Sequence, residues 1–250
     1  MFISKFAASL IMETIQDIVI VGAGNVGTHL AEIMLEAGFT ICQLAERGAT
    51  IVPGKDLYIM ALPDAAMEEA LSEMPLKDEM LVHTSGSVPM EILSRYSENT
   101  GVFYPLQTFT KGRPIDMKEV PLLIEANRID NENILVEAAK KISNKVIVAD
   151  SDRRLSLHIA AVFASNFSNH MYDIARHLME EQELDFDLLS PLIIETAAKA
   201  RALGPDKAQT GPAKRNDREV IRKHLDMLKG HEAIKELYKR ISDNISEQEK

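Results

Sequence analysis

The stretch Asp17-Ile18-Val19-Ile20-Val21-Gly22-Ala23-Gly24-Asn25-Val26-Gly27 decides the fold. A β-branched run ends on glycines spaced G-x-G-x-x-G. A helical pattern follows at once, with Val26, Leu30, Ile33, Met34 and Ala37 on one face and Gly38 at the C-terminal cap. The spacing predicts a buried parallel strand over 17–21 and a helix over 25–37. Gly22 permits the tight turn, Gly24 lets the backbone approach a pyrophosphate, and Gly27 lets the helix lie close to the strand. The helix N-terminus then offers unpaired N–H groups and the positive end of its dipole to phosphates. The strand–turn–helix context gives the motif a weight that the bare string lacks. Gly22, Ala23, Gly24, Asn25, Val26 and Gly27 are therefore read as a dinucleotide-binding turn.

Outward from this turn, strands are expected at 39–44, 57–62, 80–83, 102–104, 120–124 and 145–149. Between them lie a helix over 64–74 capped by Asp64, a short helix capped by Ser87 with Pro89 in its first turn, and a helix over 131–142. Strand patterns stop at Asp150. Helical patterns then occupy 154–182, 186–203, 217–229 and 231–248. This layout predicts an α/β Rossmann-like domain with a mostly parallel sheet over 17–150, followed by an all-α domain over 151–250 for substrate binding and dimerisation. The segment Glu46–Asp56, with Gly48, Pro53 and Gly54, is too short for a helix plus a strand, so the usual third strand is shortened or missing. Residues 1–16 read as a disordered leader, with Met12 as an alternative start. The apolar run Phe6 to Met12 is too short and too close to the first strand for a cleaved signal.

Composition bounds the function. The 250 residues are 46% hydrophobic and 26% charged, with a net charge of −10. That is an ordinary globular balance, and no cluster of Lys and Arg marks a nucleic-acid surface. No stretch reaches the roughly 18 apolar residues of a membrane span. The single cysteine, Cys42, cannot form an internal disulfide and reads as an inert small hydrophobe. A cytoplasmic protein without a metal site is expected.

Glu46 falls at the end of the second strand, about 20 residues past the glycine turn, where a carboxylate accepts hydrogen bonds from ribose hydroxyls. Arg47 follows, and an arginine there can grip a 2′-phosphate. Glu46 favours NAD and Arg47 favours NADP, so the pair leaves the cofactor as NADP or NAD. Leu62 and Pro63 end the next strand, where its carboxyl end borders the ligand crevice.

Further polar groups mark a substrate site. His83-Thr84-Ser85-Gly86-Ser87 places His83, Ser85 and Ser87 at a strand's carboxyl end, and Gln107 follows the strand over 102–104. On the long helix, His158, Ser165 and Asn169 share one face, with Asn166 beside them. The residues between them, including Ile159, Val162, Phe163 and Phe167, are apolar, so this helix is expected to be largely buried. His158 is assigned as acid/base and Asn166 as the group orienting the substrate oxygen. Thr210, Lys214 and Arg215 lie on the loop 209–217, where two positive charges suit an anionic substrate and Asp217 can cap the next helix.

The stretches Gly22 to Gly27, His83 to Ser87, Tyr104-Pro105-Leu106-Gln107-Thr108-Phe109, His158 to His170, and Gln209-Thr210-Gly211-Pro212 resemble a bacterial family assigned as NADP oxidoreductases. In that family a Rossmann-like domain precedes a helical domain of unassigned function. More remotely, the chain resembles pyrroline-carboxylate reductase and prephenate dehydrogenase. The resemblance implies nicotinamide binding and homodimers built through the helical domain, here expected across 154–203. It supplies no substrate. Two departures weigh against NADP: the short Glu46–Asp56 segment, and Glu46 where a small polar residue usually precedes the arginine. The expected activity is hydride transfer to or from a small carbonyl or imine. The chain lacks the Lys–Asn pair that related β-hydroxyacid dehydrogenases carry on this helix, which keeps open a non-catalytic nicotinamide-binding sensor acting through its dimer.

Overall fold

The structure, a computed structural model, describes residues 15–74 and 76–247. All but the last two residues of the expected leader lie outside the described residues. Contacts divide the chain into two compact units, 1–166 and 167–250.

The first unit runs β1 (Asp17–Val21), α1 (Asn25–Glu36), β2 (Thr40–Ala45), β3 (Leu57–Met60), α2 (Asp64–Ser72), β4 (Met80–His83), a 3₁₀ segment (Met90–Arg95) and β5 (Asn99–Pro105). It continues with a second 3₁₀ turn (Met117–Glu119), β6 (Leu122–Ala126), α3 (Ile129–Ile142), β7 (Val146–Val148), α4 (Ser151–Ala161) and a π-helical turn (Val162–Phe167). The seven strands form one sheet in the order β2-β1-β3-β4-β5-β6-β7. Every pair is parallel except β5 with β6. This is the expected Rossmann-like α/β fold. The antiparallel step has a simple cause: only a 3₁₀ turn joins β5 to β6, and a parallel pair needs a longer crossover, usually a helix.

Alternation along each strand builds two core layers. Ile18, Ile20, Leu57, Ile59, Val82 and Phe103 pack with Leu30 and Met34 of α1 and Leu135 and Ala139 of α3. Val19, Val21, Tyr58, Met60 and Leu81 pack on the other face with Met67 and Leu71 of α2. A sheet covered on both faces gives the continuous apolar runs from which β1, β3 and β4 were read.

β2 pairs only with β1 and forms a sheet edge, because the segment after it holds no strand. That loop is pinned instead. The buried Tyr58 hydroxyl donates to the Val52 carbonyl at 2.8 Å and accepts from the Lys55 amide at 3.1 Å. The Gln43 side chain accepts from the Val52 amide and donates to the Thr50 carbonyl.

Two capping expectations are corrected. Pro63, not Asp64, occupies the N-cap of α2, and no side chain caps it. Ser87 caps nothing; the 3₁₀ segment begins at Met90 after an extended Pro89. Proline disfavours helical geometry in the residue before it, so the turn cannot start upstream of Pro89. Within the single chain the helix after Asp150 is not largely buried, contrary to expectation. Arg154 is buried in α4, whereas Ile159 and Phe163 are 52% and 65% exposed. The polar stripe, not the apolar one, faces the sheet.

The second unit comprises α5 (Ser168–Glu180), a 3₁₀ turn (Phe186–Leu189), α6 (Ser190–Leu203), the short α7 (Pro205–Ala208), α8 (Arg218–Met227) and α9 (Glu232–Glu247). Asp217 caps α8 by accepting from the Val220 amide at 3.2 Å. Among its described residues only Ala213, Leu228 and Ser242 are buried. An apolar groove of about 290 Å³ runs between α5 and α9, lined by residues including Ile174, Leu178, Leu237 and Ile241.

Candidate active site

The glycine turn has the geometry its sequence requires. Gly22 adopts φ +114, and its amide donates to the Ala45 carbonyl at 2.9 Å. A Cβ on Gly22 would lie 2.2 Å from the Ala61 carbonyl oxygen, and one on Gly27 would lie 1.8 Å from that of Gly22. These two glycines are fixed by close packing. Gly24 differs: a Cβ there would meet nothing within 4 Å. Gly24 is the N-cap of α1, no side chain caps the helix, and its first turn carries no acid. The amides and dipole at this end therefore face open space, as an anion-binding terminus needs.

Two adjoining clefts meet over this turn and share Gly24, Ala61, Leu62 and Pro63. One, of about 650 Å³, continues past Gly22 and Ala23 to Glu46 and Arg47 on the loop after β2, and to Glu69 and Glu73 at the end of α2. The other, of about 810 Å³, includes Asn25 and Val26 and extends over Thr84 to Ser87, Tyr104, Gln107, Thr108, His158, Ser165 and Asn166. Both lie at the carboxyl ends of parallel strands, where doubly wound sheets bind ligands. The residues fit a dinucleotide, with a phosphate cradle at the centre and a polar recess on either side.

In the larger cleft the loop after β4 is folded on itself. The Ser85 hydroxyl accepts from the amides of Ser87 and Val88, each at 3.1 Å, and Ser87 donates to Asp64 at 2.6 Å. The His158 ring lies against this loop. A Cβ on Gly86 would fall 2.4 Å from His158 Nδ1, so only glycine admits the ring. The Tyr104 hydroxyl and His158 Nδ1 share a hydrogen bond of 2.9 Å. Burial pushes the Tyr104 hydroxyl above its ordinary pKa, and the charge of Arg154 partly opposes this. Nε2 of His158 makes no hydrogen bond among the described residues. A π-helical turn at Val162–Phe167 follows, and such turns recur at functional sites because they break the regular helical ladder.

One helical turn before His158, Arg154 anchors the helix. Its guanidinium pairs with Glu125 on β6 and donates to the Val88 carbonyl and to Ser151. Ser151 in turn donates to Glu125 and accepts from the Met90 amide. The network ties α4 to β6 and to the loop after β4. Sequence reasoning did not single out Tyr104, Arg154, Glu125 or Asp64 as site residues. A basic residue four positions before His158, on its face of the helix, was the available signal for Arg154.

Of the predicted residues, the clefts bring together Ser85, Ser87, Gln107, His158 and Asn166. His83 is not among them. It is wholly buried in β4, and its Nδ1 accepts from the Ser85 amide at 3.1 Å while Nε2 has no hydrogen-bond partner within 3.5 Å among the described residues. Burial, aided by the charge of Arg154, pushes its pKa down to about 4. His83 is thus a neutral support beneath the loop and not a group that meets substrate. Asn169, Thr210, Lys214 and Arg215 belong to the second unit, where Thr210 lines the apolar groove. No group of three or more His, Cys, Asp or Glu able to hold a metal occurs among the described residues. None of the described helices is long and apolar enough to cross a membrane.

Residues 120–245 match the profile of a domain of unknown function, DUF2520. Among solved structures, the chain is similar to a protein from Bacteroides fragilis described as a putative NADP oxidoreductase. The two are 40% identical with a TM-score of 0.87, covering 93% of this chain and 98% of that one. A Thermotoga maritima protein shares the fold at 21% identity and a TM-score of 0.72, covering 93% of this chain and 98% of its own. Pyrroline carboxylate reductase from Plasmodium falciparum, solved with NADP bound, shares it more distantly, at 10% identity and a TM-score of 0.52, covering 94% of this chain and 98% of its own. No curated protein matches. With the profile spanning half of its residues, and a relative 40% identical over nearly its whole length, the chain belongs to the DUF2520 family.

Proposed function

We propose that this chain is a nicotinamide-dependent oxidoreductase acting on a small carbonyl or imine compound, and its reverse partner the alcohol or amine. The observation that carries the reading is the continuity of the Gly24 phosphate cradle with the cleft that holds His158. The bound dinucleotide supplies the two electrons as hydride; the protein supplies position and protons. Gly22 to Gly27 hold the pyrophosphate, with Leu62 and Pro63 bordering the crossing between the two recesses. Tyr104 and Gly86 hold His158 through its Nδ1 side, leaving Nε2 to exchange the proton that reduction consumes and oxidation releases. Asn166 and Gln107 orient the substrate oxygen or nitrogen, and Ser85 and Ser87 complete the polar wall.

The same reading includes a homodimer through residues 154–203. Its support is the large apolar side chains left exposed there, among them Leu155, Ile159, Phe163, Leu188, Leu192 and Ile194. Large apolar side chains left exposed on each unit suit burial against a second copy.

The test is turnover and cofactor affinity measured together on wild type and His158→Ala, over a panel of small carbonyl and imine acids with a reduced nicotinamide dinucleotide. The expected result is a loss of about 10²-fold or more in kcat with cofactor affinity unchanged. Tight cofactor binding with no turnover on any member would favour the sensor.

A further inference from the structure

We infer that the recess at the end of β2 selects the non-phosphorylated dinucleotide, NAD(H), and that Glu46 is the residue that does so. This rests on the reading that the glycine turn holds a nicotinamide dinucleotide. The recess is walled by the loop after β2 and by the end of α2. Its charged lining consists of the carboxylates of Glu46, Glu69 and Glu73 against one guanidinium, that of Arg47. Arg47 leans toward one of these carboxylates in an exposed pair: its Nη2 lies 3.3 Å from Glu69 Oε2. Glu46 forms no ion pair among the described residues. It stands one residue past β2, whose last carbonyl, that of Ala45, accepts from the Gly22 amide, so backbone hydrogen bonding ties Glu46 to the phosphate cradle.

A free carboxylate accepts hydrogen bonds from two vicinal ribose hydroxyls. A 2′-phosphate has no such donors and carries about −1.5 to −2 charges. To be held here it must share the Arg47 guanidinium with Glu69 and lie among three carboxylates. Selectivity of this kind comes as much from the repulsive element as from the attractive one. No lysine and no second arginine lines the recess to offset it.

The test is calorimetric titration of NADH and NADPH, separately, into the full-length wild type, Glu46→Ser and Glu69→Gln, with circular dichroism on each to establish folding. NADH should bind the wild type about tenfold or more tightly than NADPH. The ratio should shrink as salt is raised, since the repulsion is between exposed charges. Glu46→Ser should narrow or invert the ratio. Glu69→Gln should raise NADPH affinity by freeing Arg47 from its pair, and by more than it changes NADH affinity. Tighter NADPH binding by the wild type, or a ratio unmoved by Glu46→Ser, overturns the inference while leaving the dinucleotide reading in place. Binding of neither nucleotide overturns both.

Discussion

The Tyr104 hydroxyl and His158 Nδ1 lie 2.9 Å apart across 54 residues of sequence, and the same nitrogen lies only 2.4 Å from where a Cβ on Gly86 would be. The imidazole is thus held on one side by a hydrogen bond and on the other by the absence of a side chain. Gly86→Ala should push the ring out of this seat. Because Gly86 does not have positive φ, the cost is steric: about 1–3 kcal/mol of stability, as for overpacking elsewhere. Thermal unfolding and the ¹⁵N shifts of the His158 ring would check this; unchanged values in both would contradict the packing.

Gly22 and Gly27 should tolerate alanine less well than Gly24. The first two have backbone carbonyls within 2.2 and 1.8 Å of the added carbon, and Gly22 also has φ +114. Gly22→Ala and Gly27→Ala should each cost on the order of 3 kcal/mol or more, combining strain with overpacking. Gly24→Ala should cost only about 1 kcal/mol, the preference of an N-cap for glycine over alanine. Equal losses at all three positions would contradict the assignment of separate roles.

His83 makes stability depend on pH. Its folded pKa is pushed down to about 4 from an ordinary 6.5, so the unfolded chain binds the extra proton first as pH falls. Stability from this group is complete above about pH 6.5, declines between 6.5 and 4, and levels off below. The shift corresponds to a decline on the order of 3 kcal/mol. Urea midpoints across that range should fall for wild type and fall less for His83→Gln. Parallel pH profiles would contradict the assignment.

The Arg154–Glu125 pair should be costly to break and cheap to replace. Arg154→Met alone leaves the largely buried Glu125 carboxylate unpaired, at about 3–5 kcal/mol. The double variant Arg154→Met with Glu125→Leu should recover much of that loss. Denaturant unfolding of both single variants and the double gives the coupling energy; a double variant as unstable as the sum of the singles would show the pair to be uncoupled. Turnover should fall in the double variant even where stability returns, because α4 would lose its tie to the Val88 carbonyl.

The parts of the fold legible in sequence are those set by local pattern. β1 and β4 occupy the strands read from their apolar runs, and Asn25 begins α1. The gap left by Glu46–Asp56 foretold that β2 would lack an outer neighbour. Features set by distant partners were not legible. Nothing near Tyr104 or Arg154 in the chain announces His158 or Glu125, because those contacts span 54 and 29 residues. The π turn escaped because it interrupts helical periodicity by a single residue. The apolar stripe at Ile159 and Phe163 was seen, but a stripe does not say which of two faces a domain covers. Here Arg154, through buried partners, won that face for the polar side.

Phe163 tests what lies over the other face. Phe163→Asp should convert a wild-type dimer to monomer in sedimentation velocity, with the far-ultraviolet dichroism of the sheet unit retained. A wild type that sediments as a monomer would contradict the dimer.

The central claim is that the turn at Gly24 seats the pyrophosphate of a nicotinamide dinucleotide. Its most direct measurement is binding of reduced dinucleotide to wild type and to Gly24→Val, followed by nucleotide fluorescence. A Cβ at Gly24 would meet nothing within 4 Å, so the substituted chain keeps its core packing while the side chain enters the cradle. Micromolar binding by the wild type, lost by about 10²-fold or more in a Gly24→Val protein that circular dichroism shows to be folded, is the expected result. Equal binding by both proteins, or none by the wild type, would contradict the account.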